Sequence, residues 1–282
     1  MSASQMQNDI DLITYNLNSQ KFLEVNANVN AITPLELKSA IIREPLIVSP
    51  DTMVIDVIAK MSGVRLCCNT TRTVKSKLDE LYLEALSSCA VVVENGQVIG
   101  IIVEKDVVRL SAQQQSFDCL VAGKVMLPSV VTMGESEFTD LFFAINLLQQ
   151  HHIPHLPILD GQKHLVGIVT KETLRQICRP MDLLRLPQVT EVMNRDVICA
   201  TPDNSMLNIA QQKVDCCVSS IAIVETGESP EIPQKIPVGI ITDRDLVQFQ
   251  ALGLKLESYT AKAVMSTPVL AVKPEDSLKK VQ

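Results

Sequence analysis

Aromatic residues are scarce in this 282-residue sequence, where they make up 3% of the chain and include no tryptophan. Proteins that bind single-stranded nucleic acid stack bases on aromatic side chains, so such a surface is not expected here. Basic residues are also thinly spread, the formal net charge is −7, and no basic stripe is present. We therefore predict no nucleic acid among the partners.

Long apolar runs are absent as well. None approaches the ~18 residues that a membrane-spanning helix needs, and the polar N-terminus has no apolar core of the kind found in signal peptides. The sequence therefore predicts a cytoplasmic chain without membrane insertion. Its hydrophobic fraction of 46% still indicates packed domains.

Familiar catalytic and metal-binding motifs are missing too. The eight cysteines have no paired CxxC spacing, and the sequence contains no Gly-x-Ser-x-Gly elbow, P-loop or HExxH. His151 and His155 have the spacing of a helical metal pair, but Pro154 lies between them and is expected to break the helix. We predict no catalytic residue and no metal site in this segment, which leaves open an enzyme whose catalytic part lies outside it.

What the sequence does contain is a repeat. An apolar strand passes through a glycine into a helical pattern three times, and a Val-Met pair follows each glycine with its methionine 26 residues later. The glycines are Gly100, Gly167 and Gly239, 67 and 72 residues apart, and the methionines are Met126, Met193 and Met265. This regularity predicts units that share one fold.

Each unit predicts the order strand, helix, strand, strand, helix, and hence an α/β (α+β) fold. We place the first unit at 33–112, with an insertion at about 67–87 that includes a helix, the second at 121–180 and the third at 188–250. Residues 1–32 are rich in Asn, Gln and Ser and predict a flexible arm. A fourth unit starts at 259–282 but has no hairpin, which we interpret as the mark of a fragment of a longer protein.

Three local patterns give further predictions. Ser136 can cap a helix that includes Phe138. The run from Val269 to Val272 matches the short opening strand of the other units. The Pro-rich stretch from Glu225 to Pro237 predicts a surface loop.

The repeated motifs resemble the CBS (cystathionine-β-synthase-type) domain over residues 38–282. They are Val-Met-x-x-x-Val-x-x-x-x-Pro at the openings that begin with Val192 and Val264, Leu156-Pro157-Ile158-Leu159-Asp160 in a central strand, and Gly239-Ile240-Ile241-Thr242-x-x-Asp245-Leu246 at a unit's end. The resemblance implies tandem repeats that pair sheet against sheet into Bateman modules, first with second and third with fourth. The sequence also resembles the N-terminal sensory region of bacterial signalling proteins.

The function that the resemblance implies is regulatory. The expected module requires no cofactor, binds an adenine nucleotide such as AMP, ADP or ATP, forms a homodimer, and transmits ligand occupancy to a C-terminal output domain or partner. That output domain could be an enzyme. The alternative is a ligand-free dimerisation scaffold.

Thr242 and Asp245 are the principal candidate binding residues. A carboxylate can accept hydrogen bonds from both hydroxyls of a ribose, and a helix N-terminus beside a hydroxyl favours phosphate. The same spacing also fits a capping box, in which both residues only satisfy first-turn amides. The resemblance favours the ribose site.

The other units depart from this pair in opposite ways. The first retains the acid at Asp106 but has Val103 in place of the threonine, whereas the second retains Thr170 but has Thr173 in place of the acid. We therefore rank the third-unit site first, Asp106 second, and Thr170 as part of a degenerate site.

The resemblance adds four further candidates. It implies that an adenine contacts Ile198, Ala222 and Ile223, although each of these suits an ordinary core as well. It also implies that His155 reaches a phosphate, the alternative being a histidine at a strand edge.

Overall fold

The computed structural model describes residues 33–70, 87–177, 188–227 and 235–277. Three units of the predicted order follow one another along the chain, which confirms the α/β class. The predicted arm at 1–32 and residues 71–86, most of the predicted insertion, lie outside the described residues. No helix within the described ranges is both long enough and apolar enough to cross a bilayer.

The first unit opens with a short helix that Thr33 and Glu36 cap reciprocally. Its elements are α1 (Pro34–Ser39), β1 (Ile47–Val48), α2 (Val54–Thr70), β2 (Cys89–Glu94), β3 (Gln97–Val103) and α3 (Glu104–Ala112). The second unit has α4 (Ala122–Val125), β4 (Met133–Gly134), α5 (Leu141–Gln150), β5 (His155–Leu159), β6 (Leu165–Thr170) and α6 (Lys171–Ile177).

The third unit repeats this order with a longer hairpin. It has α7 (Val189–Val192), β7 (Cys199–Ala200), α8 (Met206–Asp215), β8 (Ser220–Thr226), β9 (Lys235–Thr242) and α9 (Asp243–Ala251), and α10 (Ala261–Val264) follows it. In every unit the first short strand pairs in parallel with the central strand, which pairs antiparallel with the last.

The first two units pack sheet against sheet. Along β2, Ala90 and Val92 face the helices of their own unit, whereas Cys89 and Val91 pack with Ile168 of the second sheet. This two-sided burial follows from the alternation of side chains along a strand. The first and second units therefore form the expected sheet-to-sheet pair.

Opening segments are exchanged between paired units. Isolated bridges join Ile101 to Leu127, Ile168 to Ile42, and Ile240 to Ser266. The segment that opens the second unit thus lies on the sheet of the first, the segment that opens the first lies on the second, and the start of the fourth lies on the third.

This exchange explains two of the three 26-residue intervals. A Cβ on Gly100 would lie 2.9 Å from Met126 Cβ, and one on Gly239 would lie 2.8 Å from Met265 Cβ, distances that real Cβ atoms almost never show. Gly167 instead faces the backbone oxygen of Ile42. Glycine is required at these positions because another segment crosses the strand closely.

Helices of the first and third units form a second contact. Helix α3 packs against α8 and α9, and α2 packs against α9, with Val108 of α3 in the third unit's core and Val247 of α9 in the first unit's core. Since each unit supplies a side chain to the other, the start of α3 and the start of α9 lie close together.

Three local predictions were wrong in whole or in part: the cap of α5, the bounds of the loop before β9, and the strand from Val269 to Val272. Helix α5 begins at Leu141, where Asp140 accepts a hydrogen bond from the amide of Phe142 at 2.8 Å, so Ser136 is not its cap. The predicted loop from Glu225 to Pro237 was too long, because β8 extends to Thr226 and β9 begins at Lys235, while 228–234 lie outside the described residues. The end of α5 before Pro154, in contrast, confirms the predicted helix break.

The run from Val269 to Val272 forms no strand, and Leu270 is 96% exposed. In the other units the matching strand pairs with a central strand that follows it. No such central strand lies beside this run in the part of the chain that the structure describes, so its backbone has no ladder to join.

Candidate functional site

Thr242 and Asp245 lie together at the start of α9. The amide and the hydroxyl of Thr242 each donate to Asp245 Oδ2 at 2.7 Å, and the amide of Asp245 donates to Thr242 Oγ1 at 3.4 Å. This is the capping box that the spacing allowed. Both bonds to the carboxylate use one oxygen, so Oδ1 takes no part in the cap.

A cleft of about 310 Å³ lies beside this cap. We call it the third-unit cleft, and its lining residues are Glu104, Ser219, Ser220, Ile240, Thr242, Asp243 and Arg244. Its volume is at the lower end of the range found for small-molecule pockets, roughly 300–1,000 Å³. Thr242 lines the cleft, and Asp245 lies next to it as the acceptor of two hydrogen bonds from Thr242.

The first unit completes this cleft with a charge. Arg244 Nε lies 3.4 Å from Glu104 Oε1, and both side chains are largely shielded from solvent, with exposures of 26% and 18%. Glu104 and Asp243 are each the first residue of their helix, so the two units present equivalent acidic positions. The ion pair therefore connects the rim of the cleft to the neighbouring unit.

Lys213 is a functional candidate that the sequence reasoning missed. Its side chain is 1% exposed, and Nζ lies 3.0 Å from Asp243 Oδ1. It also donates to the backbone oxygens of Ser219 at 2.6 Å and Ile241 at 3.3 Å. The available signal was a lysine within the buried stripe of α8, which also contains Met206 and Ile209.

Burial dominates the titration of this pair. Burial raises the pKa of Asp243, and the positive charges of Lys213 and, more weakly, Lys105 oppose this rise. Burial lowers the pKa of Lys213, and the negative charge of Asp243 opposes this decrease. Each partner therefore favours the charged form of the other.

The residues of the other units that match Thr242 and Asp245 also cap helices. Asp106 accepts from the amide of Val103 at 3.0 Å through Oδ2 and from Arg109 at 3.1 Å through Oδ1, so both oxygens are engaged. Thr170 and Thr173 are buried, and each hydroxyl accepts from the other residue's amide. The threonine thus replaces the acid as a capping group.

The expected adenine contacts lie on different faces of the third sheet. Ile223 is fully buried in the core beneath the helices, whereas its neighbour Ala222 is only partly buried and points to the opposite face. Ile198 is partly buried against the core, and its backbone oxygen accepts from the amide of Ala222 at 3.2 Å.

His155 lies between the first and second units. Its Nε2 is 2.6 Å from Ser88 Oγ, and burial, assisted by the charge of Lys171, lowers its pKa to about 4. The ring is therefore neutral at physiological pH and can exchange hydrogen bonds, but it does not supply the positive charge expected of a phosphate ligand.

Comparisons with known proteins agree with this architecture. The model of the CBS domain matches residues 37–113, 122–179 and 189–251, which is more than half of the chain. Uncharacterized protein MK0525 of Methanopyrus kandleri is 32% identical over 93 residues, which cover 33% of this chain and 44% of that protein. The chain thus spans less than half the length of that relative.

One solved structure with a TM-score above 0.5 gives the same fold. Protein MJ1225 of Methanocaldococcus jannaschii, described as a proposed archaeal homolog of g-AMPK, superposes with a TM-score of 0.61 and 19% identity over 84% of both chains. In sequence it is 22% identical over 66% of this chain and 72% of its own. The CBS domain pair of protein MJ0100, solved with 5-methylthioadenosine and S-adenosyl-L-methionine, covers 50% of this chain and 98% of its own at 17% identity and a TM-score of 0.35.

CBS domains are regulatory modules that are generally non-catalytic. Three tandem matches to the family model cover most of the chain, and the sheet order repeats in all three units. The chain belongs to the CBS domain family.

Proposed function

We propose that this chain is a regulatory module that binds an adenosine-containing ligand in the third-unit cleft and passes its occupancy to an output domain or partner. The observation that carries the proposal is the composition of the cleft, which joins the start of α9 to Glu104 of the first unit. A ligand there contacts two units at once. Its binding can therefore bias their relative arrangement.

The chemistry at the start of α9 supports a ribose phosphate. The positive N-terminal end of α9 and the hydroxyl of Thr242 suit phosphate oxygens, and Asp245 Oδ1, which takes no part in the cap, can accept a hydrogen bond from a ribose hydroxyl. AMP, ADP and ATP are the proposed ligands.

The ion pair between Arg244 and Glu104 supplies a route for transmission. A phosphate near the start of α9 attracts Arg244 and repels Glu104, so it weakens the 3.4 Å contact between the two units. We propose that this change alters the packing of α3 against α9 and is transmitted to an attached output domain. The homodimer remains part of the proposal, and light scattering of the purified chain tests it.

Thermal unfolding with a panel of adenosine, AMP, ADP and ATP tests ligand binding. At least one of them is expected to raise Tm, and Asp245→Asn is expected to remove most of that rise. Asparagine retains an oxygen that can accept the amide of Thr242, so Tm without ligand should change little.

Asp140→Asn is the matched control, because Asp140 also caps a helix but belongs to the second unit and does not line the cleft. Its ligand-induced rise should equal that of the wild type. If no member of the panel raises Tm, or if both variants lose the rise equally, the cleft is not the binding site.

A ligand-free scaffold is the second candidate function. The capping hydrogen bonds of Thr242 and Asp245 favour it, because they account for both residues without a ligand. A scaffold predicts an oligomer whose Tm is indifferent to every nucleotide in the panel.

A further inference from the structure

Lys213 distinguishes the third unit from the other two. It is the eighth residue of α8, the position that Met61 holds in α2 and Leu148 holds in α5. All three side chains are almost fully buried. The third unit thus places a charged group where its neighbours have an apolar one.

A buried ammonium needs compensation, and Lys213 has three acceptors. They are the backbone oxygens of Ser219 and Ile241 and the carboxylate of Asp243. Two of these residues, Ser219 and Asp243, line the third-unit cleft, although Lys213 itself lies behind them. Lys213 therefore acts on the cleft through its neighbours.

The charges that line the cleft indicate how Lys213 affects ligand binding. Glu104 and Asp243 bring two carboxylates to the lining, against one guanidinium from Arg244. Without compensation, this excess of negative charge repels an anionic ligand. Lys213 is 3.0 Å from Asp243, and Lys105 of the first unit adds a weaker positive influence on the same carboxylate.

We propose that Lys213 is a positioning residue that makes the third-unit cleft able to accept a phosphate-bearing ligand, by neutralising Asp243 and fixing the start of β8 beside it. The proposal rests on the ligand-binding function proposed above. It makes the phosphate, rather than the nucleoside, the part of the ligand that depends on Lys213. The first two units, with Met61 and Leu148, lack this device.

Calorimetric titration of the full chain with adenosine and with AMP tests the role. In Lys213→Met, which copies the residue of the first unit, AMP binding should weaken about ten-fold more than adenosine binding, the factor that roughly 1.4 kcal/mol of lost attraction produces. A purely structural role weakens both ligands by the same factor. Equal losses, or no loss for AMP, would overturn the proposal.

The double variant K213M/D243N provides a second test that survives if K213M does not fold. It leaves no unpaired buried charge, so it should fold and should retain the wild-type ratio of AMP affinity to adenosine affinity. A double variant that loses AMP affinity selectively contradicts the neutralising role. Lys255→Met, at an exposed lysine, is the control and should change neither affinity.

A failure of the proposed function gives a different result. If the wild type binds neither adenosine nor AMP, the cleft is not an adenosine site and the role of Lys213 is refuted with it. If the wild type binds both and K213M leaves their ratio unchanged, only the role of Lys213 is refuted.

Discussion

The glycines of the last strands give the sharpest test of the exchanged opening segments. A Cβ at Gly167 would meet the backbone oxygen of Ile42 and lie 2.6 Å from a side-chain carbon of Ile41. A Cβ at Gly239 would lie 2.6 Å from Met265 Cγ and 2.8 Å from Met265 Cβ. Either alanine must therefore displace atoms of the crossing segment.

The expected losses differ because the obstacles differ. Overpacking of this kind costs about 1–3 kcal/mol of unfolding free energy and sometimes more. Gly167→Ala should reach the upper end of that range because backbone cannot rotate away, and Gly239→Ala should cost less because a methionine side chain can move in part. Gly161→Ala, with nothing within 4 Å of its Cβ, should be neutral or slightly stabilising.

Urea unfolding of the three alanine variants measures these losses. A second-site change checks the cause, because Met265→Ala should recover part of the loss in G239A but should not help G167A. Equal stability of G167A and G161A would refute the exchange of opening segments, since the sheet would then be free of the crossing chain.

Two further predictions concern contacts between units. Burial lowers the pKa of His155 from 6.5 to about 4, so the unfolded chain binds the proton before the folded chain does as pH falls. The free energy of unfolding should therefore drop by on the order of 3 kcal/mol between pH 6.5 and pH 4. His155→Gln should flatten that drop in urea melts at successive pH values, whereas His151→Gln, an exposed neighbour, should preserve it. For the ion pair of Glu104 and Arg244, a double-mutant cycle with glutamine should give a coupling of about 1 kcal/mol that shrinks in high salt, and a coupling of zero would remove the proposed route of transmission.

Local patterns were sufficient to predict most elements of each unit. Alternating apolar residues and helix caps are short-range signals, and the three glycines repeat at regular intervals, so the strands around Gly100 and Gly239 were identified. Helix α5 was misplaced because two possible caps, Ser136 and Asp140, precede one apolar stripe. Phe138, which lies between them, is buried before the helix begins, and the sequence does not display this packing.

Long-range pairings were harder to predict. The 26-residue interval was visible, but its cause is an exchange in which Met126 crosses the strand of Gly100 while Ile42 crosses that of Gly167. The cleft was identified only in part, because Glu104 comes from another unit and the partner of Lys213 lies on a different helix. Thr242 and Asp245 could be predicted as neighbours, although their spacing suited a cap and a ligand site equally well.

The stability of the buried ion pair between Lys213 and Asp243 tests why the third unit has a lysine where the other two have an apolar residue. Buried ion pairs contribute little net stability, and replacing one by uncharged groups of similar size is often neutral or stabilising by about 1–4 kcal/mol. Met61 shows that the same position accepts an apolar residue within this chain. We therefore expect K213M/D243N to be at least as stable as the wild type in urea, while K213M alone, which leaves Asp243 buried without its lysine, loses about 3–5 kcal/mol. A stable double variant would mean that the pair is retained for the cleft rather than for folding, whereas a double variant as unstable as K213M would make the pair a structural element and would favour the ligand-free scaffold.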